Sequence, residues 1–218
     1  LRPVGRREAE IVWIKICGMT SGEAVRSALE AGVDAIGFVF APSPRRVEPA
    51  QAAQLALPAR GRVRCVAVTL HPQQQQLDAI LRLFEPDVLQ TDLEDFARLR
   101  LPDGLARLPV VRAAGPPGAL LPQRLLFEGP RSGSGTMSDW HEAAMLAPRC
   151  ELVLAGGLDA HNVGAAIAAV RPFGVDVSSG VEDAPGLKRP EKINQFVRAA
   201  RAAFSEIEHE SVHDSRGS

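Results

Sequence analysis

Short β-branched or apolar runs alternate along the chain with Ala- and Leu-rich stretches of helical period, the pattern of repeated βα units around a parallel sheet. Eight such runs stand out, at 12–16, 35–40, 62–68, 88–90, 110–113, 124–127, 152–155 and 174–177. Between them, helices are expected to start near Ser21, Pro49, Pro72, Leu93, Ser138, Asp159 and Pro190, most at residue types that favour the first turn. An open doubly wound sheet would show the same alternation. The count of eight units favours a closed α/β barrel, a single-domain (β/α)8 fold. Its fifth helix is expected to be degenerate, because the stretch GPPGALLP at 115–122 holds too many Pro and Gly residues for a regular helix. The pattern predicts a flexible leader at 1–10, the barrel at 11–204 and a disordered tail at 205–218, where SEIEHESVHDSRGS carries no apolar period.

Composition narrows the choice of partner. With 25 Lys and Arg against 26 Asp and Glu, the net charge of −1 leaves no electrostatic footprint for nucleic acid or an anionic membrane. A small-molecule partner is expected, with the chain acting as a monomer or a homodimer. Cys17, Cys65 and Cys150 are odd in number and widely spaced, fitting neither a disulfide framework nor a zinc-ligand pair, so they read as reduced thiols. The stretch 1–10 is charged and has no apolar core of signal-peptide length, no later run reaches about 18 consecutive apolar residues, and the expected compartment is the cytoplasm.

In a barrel of this kind the chemistry sits at the C-terminal ends of the strands. Strand one closes on Lys15-Ile16-Cys17-Gly18, and its period of two puts Lys15 and Cys17 on the inward face. Most cysteines are small buried hydrophobes. At a strand end beside a lysine, however, Cys17 becomes a candidate base, with Lys15 expected to lower the thiol from its reference near 8.5. Cys65 and Cys150 lack that setting. Strand six ends on Glu128, before the Gly- and Ser-rich run 129–135, a position suited to acid or base work under a closing loop.

After strands seven and eight come LAGGLD and DVSSGVE. There Gly156, Gly157, Ser178, Ser179 and Gly180 form two small-residue turns where barrels commonly build phosphate sites from backbone amides. Asp176 shares the inward face with Ser178 and either orients a substrate group or pairs internally with Lys15. Arg45, in the Pro-flanked loop PSPRRV, can hold a carboxylate through two parallel hydrogen bonds.

In this order and spacing KICGMT, GFVFAPSPRRV, LAGGL and DVSSGVE resemble the phosphoribosylanthranilate isomerase family. The resemblance runs from about Trp13 to Phe204. It implies a (β/α)8 barrel that catalyses an Amadori rearrangement in tryptophan biosynthesis without metal or cofactor. It implies Cys17 as base, Glu128 as acid, Arg45 on the anthranilate carboxylate, Asp176 on the amine side, and Gly156, Gly157, Ser178, Ser179 and Gly180 around the phosphate. Two departures stand out. The family usually carries Asp where this chain has Glu128, and it often reads QLHG where this chain reads Leu89-Gln90-Thr91-Asp92. Gln90 is kept as a barrel-mouth contact and Asp92 receives no role. A related phosphoribosyl sugar isomerase of histidine biosynthesis would use an aspartate at strand one, which Cys17 opposes. A barrel that binds phosphate without turnover is the non-enzyme alternative.

Overall fold

The computed structural model describes residues 12–112, 120–129 and 138–214. The expected leader at 1–10, most of the Pro- and Gly-rich fifth connection and most of the Gly- and Ser-rich loop after strand six lie outside the described residues. Eight parallel strands, each paired to the next in sequence, close into a barrel in which the last pairs with the first. They are β1 (Trp13–Cys17), β2 (Ala35–Val39), β3 (Arg64–Val68), β4 (Val88–Asp92), β5 (Ala106–Val111), β6 (Arg124–Phe127), β7 (Glu151–Leu154) and β8 (Gly174–Val177).

Around the sheet lie α1 (Gly22–Ala31), α2 (Pro49–Ala56), α3 (Gln74–Phe84), α4 (Trp140–Leu146), α5 (Val163–Val170) and α6 (Pro190–Asp214). Local chemistry sets several of their starts. The Ser21 hydroxyl accepts from the Ala24 amide at 3.2 Å and the Asp139 carboxylate from the Glu142 amide at 3.0 Å, each satisfying an orphan donor of the first turn. A short hairpin, β9 (Glu182–Ala184) with β10 (Leu187–Lys188), follows β8.

The alternation of side chains divides the core in two. Ile14, Ile16, Ile36, Phe38, Leu125 and Phe127 face outward, packed under the helices. Trp13, Val66, Val88, Leu108, Leu126 and Val153 fill the barrel interior, leaving the strand ends above them for polar side chains.

Several features differ from the sequence pattern, among them β5, which runs over Ala106–Val111 where 110–113 was expected. The helix expected from Leu93 is a 3-10 helix, Leu93–Ala97. The Asp95 carboxylate pins this turn, accepting from Thr91 Oγ at 2.5 Å, from the His71 amide at 3.1 Å and from Arg98 at 2.6 Å. β4 runs two residues past its apolar stretch and so brings Asp92 into the ladder, opposite Val110 of β5. Finally, the tail expected to be disordered from 205 is helical, since α6 continues to Asp214. Ile207 follows the buried Phe204 by one helical turn and packs against the core, extending the stripe that the many charged neighbours hide in the sequence.

The seam where β8 meets β1 is tight. A Cβ on Gly174 would lie 2.3 Å from the Trp13 carbonyl oxygen and 2.8 Å from the Trp13 Cβ. Gly174→Ala is expected to cost about 1–3 kcal/mol through overpacking, read as a lowered urea midpoint. Gly164→Ala in α5, where the nearest atom would be the Ala203 Cβ at 3.9 Å, should be neutral or slightly stabilising. Equal midpoints for the two variants would refute this account of the seam.

Candidate active site

Inward-facing residues at the C-terminal ends of the strands line a cavity of about 650 Å³. Parallel register sets Lys15 of β1 against Asp176 of β8, and the two side chains form a buried ion pair at 2.9 Å. Burial acts against the charge on Lys15, yet Asp176, together with Cys17, holds its ammonium above the ordinary lysine value. Two residues along β1, Cys17 lines the cavity with Asp176. Gly37 of β2 makes room for this cluster, because a Cβ there would lie 3.1 Å from both the Cys17 sulfur and Lys15 Cε.

Lys15 was expected to lower the Cys17 thiol. It does pull in that direction, as does Lys188, but burial is the largest influence and Asp176 adds to it, so the thiol lies above its ordinary value. The expectation counted the neighbouring cation and missed the desolvation around it.

Arg45 is buried and lines the cavity. Its guanidinium makes the two parallel bonds expected of it, but to a protein carboxylate: Nε donates to Glu182 Oε1 at 2.8 Å and Nη2 to Oε2 at 2.7 Å. That edge is therefore committed to Glu182. Lys188, from β10, donates to the same carboxylate at 2.7 Å and to the Ser178 carbonyl at 2.9 Å. Burial would raise Glu182, but Arg45 and Lys188 outweigh it and hold the carboxyl below the usual range. Gly18 permits this approach, since a Cβ there would lie 2.6 Å from Arg45 Cδ.

Across the mouth, Glu128 follows β6 and is nearly buried. Its Oε1 accepts from Arg112 Nη2 at 3.0 Å, while Arg112 Nη1 donates to Asp92 Oδ1 at 2.7 Å. Asp92 also faces His71 Nε2 at 3.5 Å, and His71 Nδ1 lies 3.0 Å from Asp95. The hydrogen bond to Asp95 is the chief reason that His71 sits above the ordinary histidine value. Potential ligand atoms of His71, Asp92 and Glu94 come within 4.8 Å of one another. Asp92 is paired with Arg112 and His71 with Asp95, so these groups already serve the ion-pair network.

Gly156 and Gly157 line the cavity with φ of 93° and 66°, conformations that favour glycine. Ser178 and Ser179 line it too, the Ser178 hydroxyl donating to the Cys17 carbonyl at 3.1 Å. Gly180 does not line it. A Cβ on Gly180 would fall 2.0 Å from the Leu158 carbonyl oxygen, so its role is to let the loop after β8 pack on the loop after β7. Gln90 lines the cavity as well, and its buried Oε1 has no hydrogen-bond partner among the described residues.

The sequence reading brought forward Cys17, Arg45, Glu128, Asp176, Gly156, Gly157, Ser178 and Ser179, and the fold gathers all of them at one mouth. It passed over Arg112, Asp92, His71, Glu182 and Lys188. Arg112 could have been found from period-two alternation, two residues past the inward Val110. Glu182 and Lys188 meet only through the β9–β10 hairpin, which no periodicity announces.

A closed barrel with a thiol and a carboxyl group on the walls of one cavity, beside small-residue turns, has the groups that proton transfer on a small anionic molecule requires. The sequence profile described as "N-(5'phosphoribosyl)anthranilate (PRA) isomerase" matches residues 14–199, and the chain belongs to that family. It is 40% identical over 209 residues to the N-(5'-phosphoribosyl)anthranilate isomerase of Azorhizobium caulinodans, covering 87% of this chain and 92% of that protein. The phosphoribosyl anthranilate isomerase structure from Thermus thermophilus superposes with a TM-score of 0.74 at 27% identity, covering 88% of this chain and 99% of that one. A further phosphoribosyl anthranilate isomerase structure holds reduced 1-(o-carboxyphenylamino)-1-deoxyribulose 5-phosphate. It superposes with a TM-score of 0.69 at 27% identity, over 88% of this chain and 99% of that one.

Because burial holds the Cys17 thiol up, its thiolate forms at higher pH than that of a free cysteine. In the ligand-free protein the pH profile of Cys17 alkylation by iodoacetamide, followed by mass spectrometry, should therefore inflect above that of free cysteine. An inflection near neutrality would contradict the dominance of burial.

Proposed function

We propose that the chain catalyses the Amadori rearrangement of N-(5-phosphoribosyl)anthranilate to 1-(2-carboxyphenylamino)-1-deoxyribulose 5-phosphate, a step of tryptophan biosynthesis. Membership of the isomerase family carries this reading, with Cys17 and Glu128 on the walls of one cavity.

Each step is a proton transfer. Glu128, as acid, takes up a proton from solvent against the pull of Arg112, which favours its carboxylate, and passes it to the furanose ring oxygen, and the C1–O bond breaks with its electron pair left on that oxygen. The anilino nitrogen lone pair forms the C=N bond of a Schiff base. Cys17, as base, takes the proton from sugar C2, and the C2–H electrons form the C1–C2 double bond of an enolamine. Tautomerisation then adds a proton at C1 and removes the one on the C2 hydroxyl, giving the C2 ketone. The cationic Schiff base acidifies the C2–H, and its charge also favours the thiolate that burial opposes in the empty site. Lys15 and Lys188 act on the thiol in the same direction.

Gly156, Gly157, Ser178 and Ser179 offer amide and hydroxyl donors to the phosphate dianion, with Gly180 supporting their loop from behind. Asp176, held by Lys15, faces the amine side. The unpartnered Gln90 Oε1 supplies an acceptor for a substrate hydroxyl or N–H, which would relieve the cost of leaving it buried and unpaired. Arg45, oriented by Glu182, brings its positive charge toward the anthranilate carboxylate. Three free cysteines fit a reducing compartment, and we place the reaction in the cytoplasm.

Loss of substrate fluorescence measures turnover directly. Cys17→Ser should lower kcat by at least about a hundredfold with KM little changed, since loss of a general base acts on the transition state. Glu128→Ala should fall as far, whereas Glu128→Asp should stay within about tenfold of the parent, because a carboxyl group remains to donate the proton. Near-normal turnover of Cys17→Ser would remove the base assignment, and equal activity of the two Glu128 variants would remove the acid assignment.

A further inference from the structure

Two carboxylates from different strand ends, Asp92 at the end of β4 and Glu128 after β6, are joined by one side chain. The Arg112 guanidinium straddles both carboxylates, with Nη1 2.7 Å from Asp92 Oδ1 and Nη2 3.0 Å from Glu128 Oε1. The Asp92 and Glu128 side chains are 10% and 11% exposed and that of Arg112 is 26% exposed, so solvent screens these pairs less than it would a surface pair.

We infer that Asp92 and Arg112 are positioning residues for Glu128, fixing its carboxylic side chain at the cavity wall. The inference rests on the assignment of Glu128 as the acid.

A glutamate has one more rotatable bond than an aspartate, and its carboxyl group sweeps a larger volume at the end of a strand. A planar guanidinium with two donors on adjacent nitrogens removes that freedom only if its own orientation is fixed. Asp92 supplies that constraint. It belongs to β4, hydrogen-bonded to β5 in register with Val110, two residues before Arg112. On its other oxygen Asp92 faces His71, which is held in turn by the buried Asp95. Arg112 is thus anchored to two adjacent strands, and Glu128 is attached to the outer end of that anchor. Burial acts against the Arg112 charge, yet Asp92 and Glu128 hold the guanidinium above its ordinary value, as a cation shared by two carboxylates should be.

A double-mutant cycle on kcat tests the inference. Asp92→Asn in the parent should lower kcat by about tenfold and leave KM within about twofold, because misplacing the acid acts on the transition state. In the Glu128→Asp background, where the shorter carboxyl group no longer reaches Arg112, Asp92→Asn should change kcat by less than about twofold. Arg112→Lys keeps a cation but loses the fork, and should fall between the parent and Asp92→Asn. Equal losses from Asp92→Asn in both backgrounds would show that Asp92 acts independently of Glu128, and no loss in the parent would show that the clamp is dispensable. Either result overturns the inference. Thermal midpoints of all variants separate misfolding from mispositioning: should Asp92→Asn fail to fold, the cycle is run with Arg112→Lys, and additivity there is the overturning result. A parent protein that does not turn over phosphoribosylanthranilate would defeat the functional reading itself, a result distinct from either outcome of the cycle.

Discussion

Closure of the sheet at the β1–β8 seam is the constraint from which the site follows. Trp13 packs over Gly174 with no room for a side chain between them, and two residues along the same register Lys15 meets Asp176 in a buried ion pair. Without that seam the inward residues of the first and last strands would lie at opposite edges of an open sheet. With it, Cys17, Asp176 and Ser178 share one wall of a cavity whose other wall carries Arg112 and Glu128. The pair also sets the electrostatics of the thiol, because Lys15 and Asp176 act on Cys17 in opposite directions inside a region that burial already makes unfavourable for charge.

Charge at the mouth is organised so that its principal buried carboxylates face cations. Asp176 faces Lys15, Glu182 faces Arg45 and Lys188, and Asp92 and Glu128 share Arg112. Asp95, deeper under the rim, takes Thr91, His71 and Arg98. Such pairs contribute little net stability once desolvation is counted. They do fix side-chain orientation in advance, which lowers the reorganisation needed as charge develops on the substrate. Gln90 is the exception, with a buried acceptor that no described residue satisfies, and it faces the space the substrate would fill.

The alternation of apolar and polar residues determined the repeated βα units and the inward direction of Cys17, because period two is a local property, whereas closure of the sheet into a barrel was left open between two arrangements that share the pattern. It likewise placed Asp176 and Ser178 on one face and Gly156 and Gly157 in the turn after β7. The sequence did not determine where α6 ends, since Ile207 packs on a core that neighbouring charges conceal. Nor did it show that Arg45 is held by Glu182, that Gly180 serves loop packing, or that burial outweighs Lys15 at the thiol. Those outcomes depend on distances between residues as far apart as Arg45 and Glu182 and on how completely water is excluded around them. A sequence states which groups exist and which way a strand turns them. Only the closed tertiary structure decides which charges meet and how much solvent remains between them.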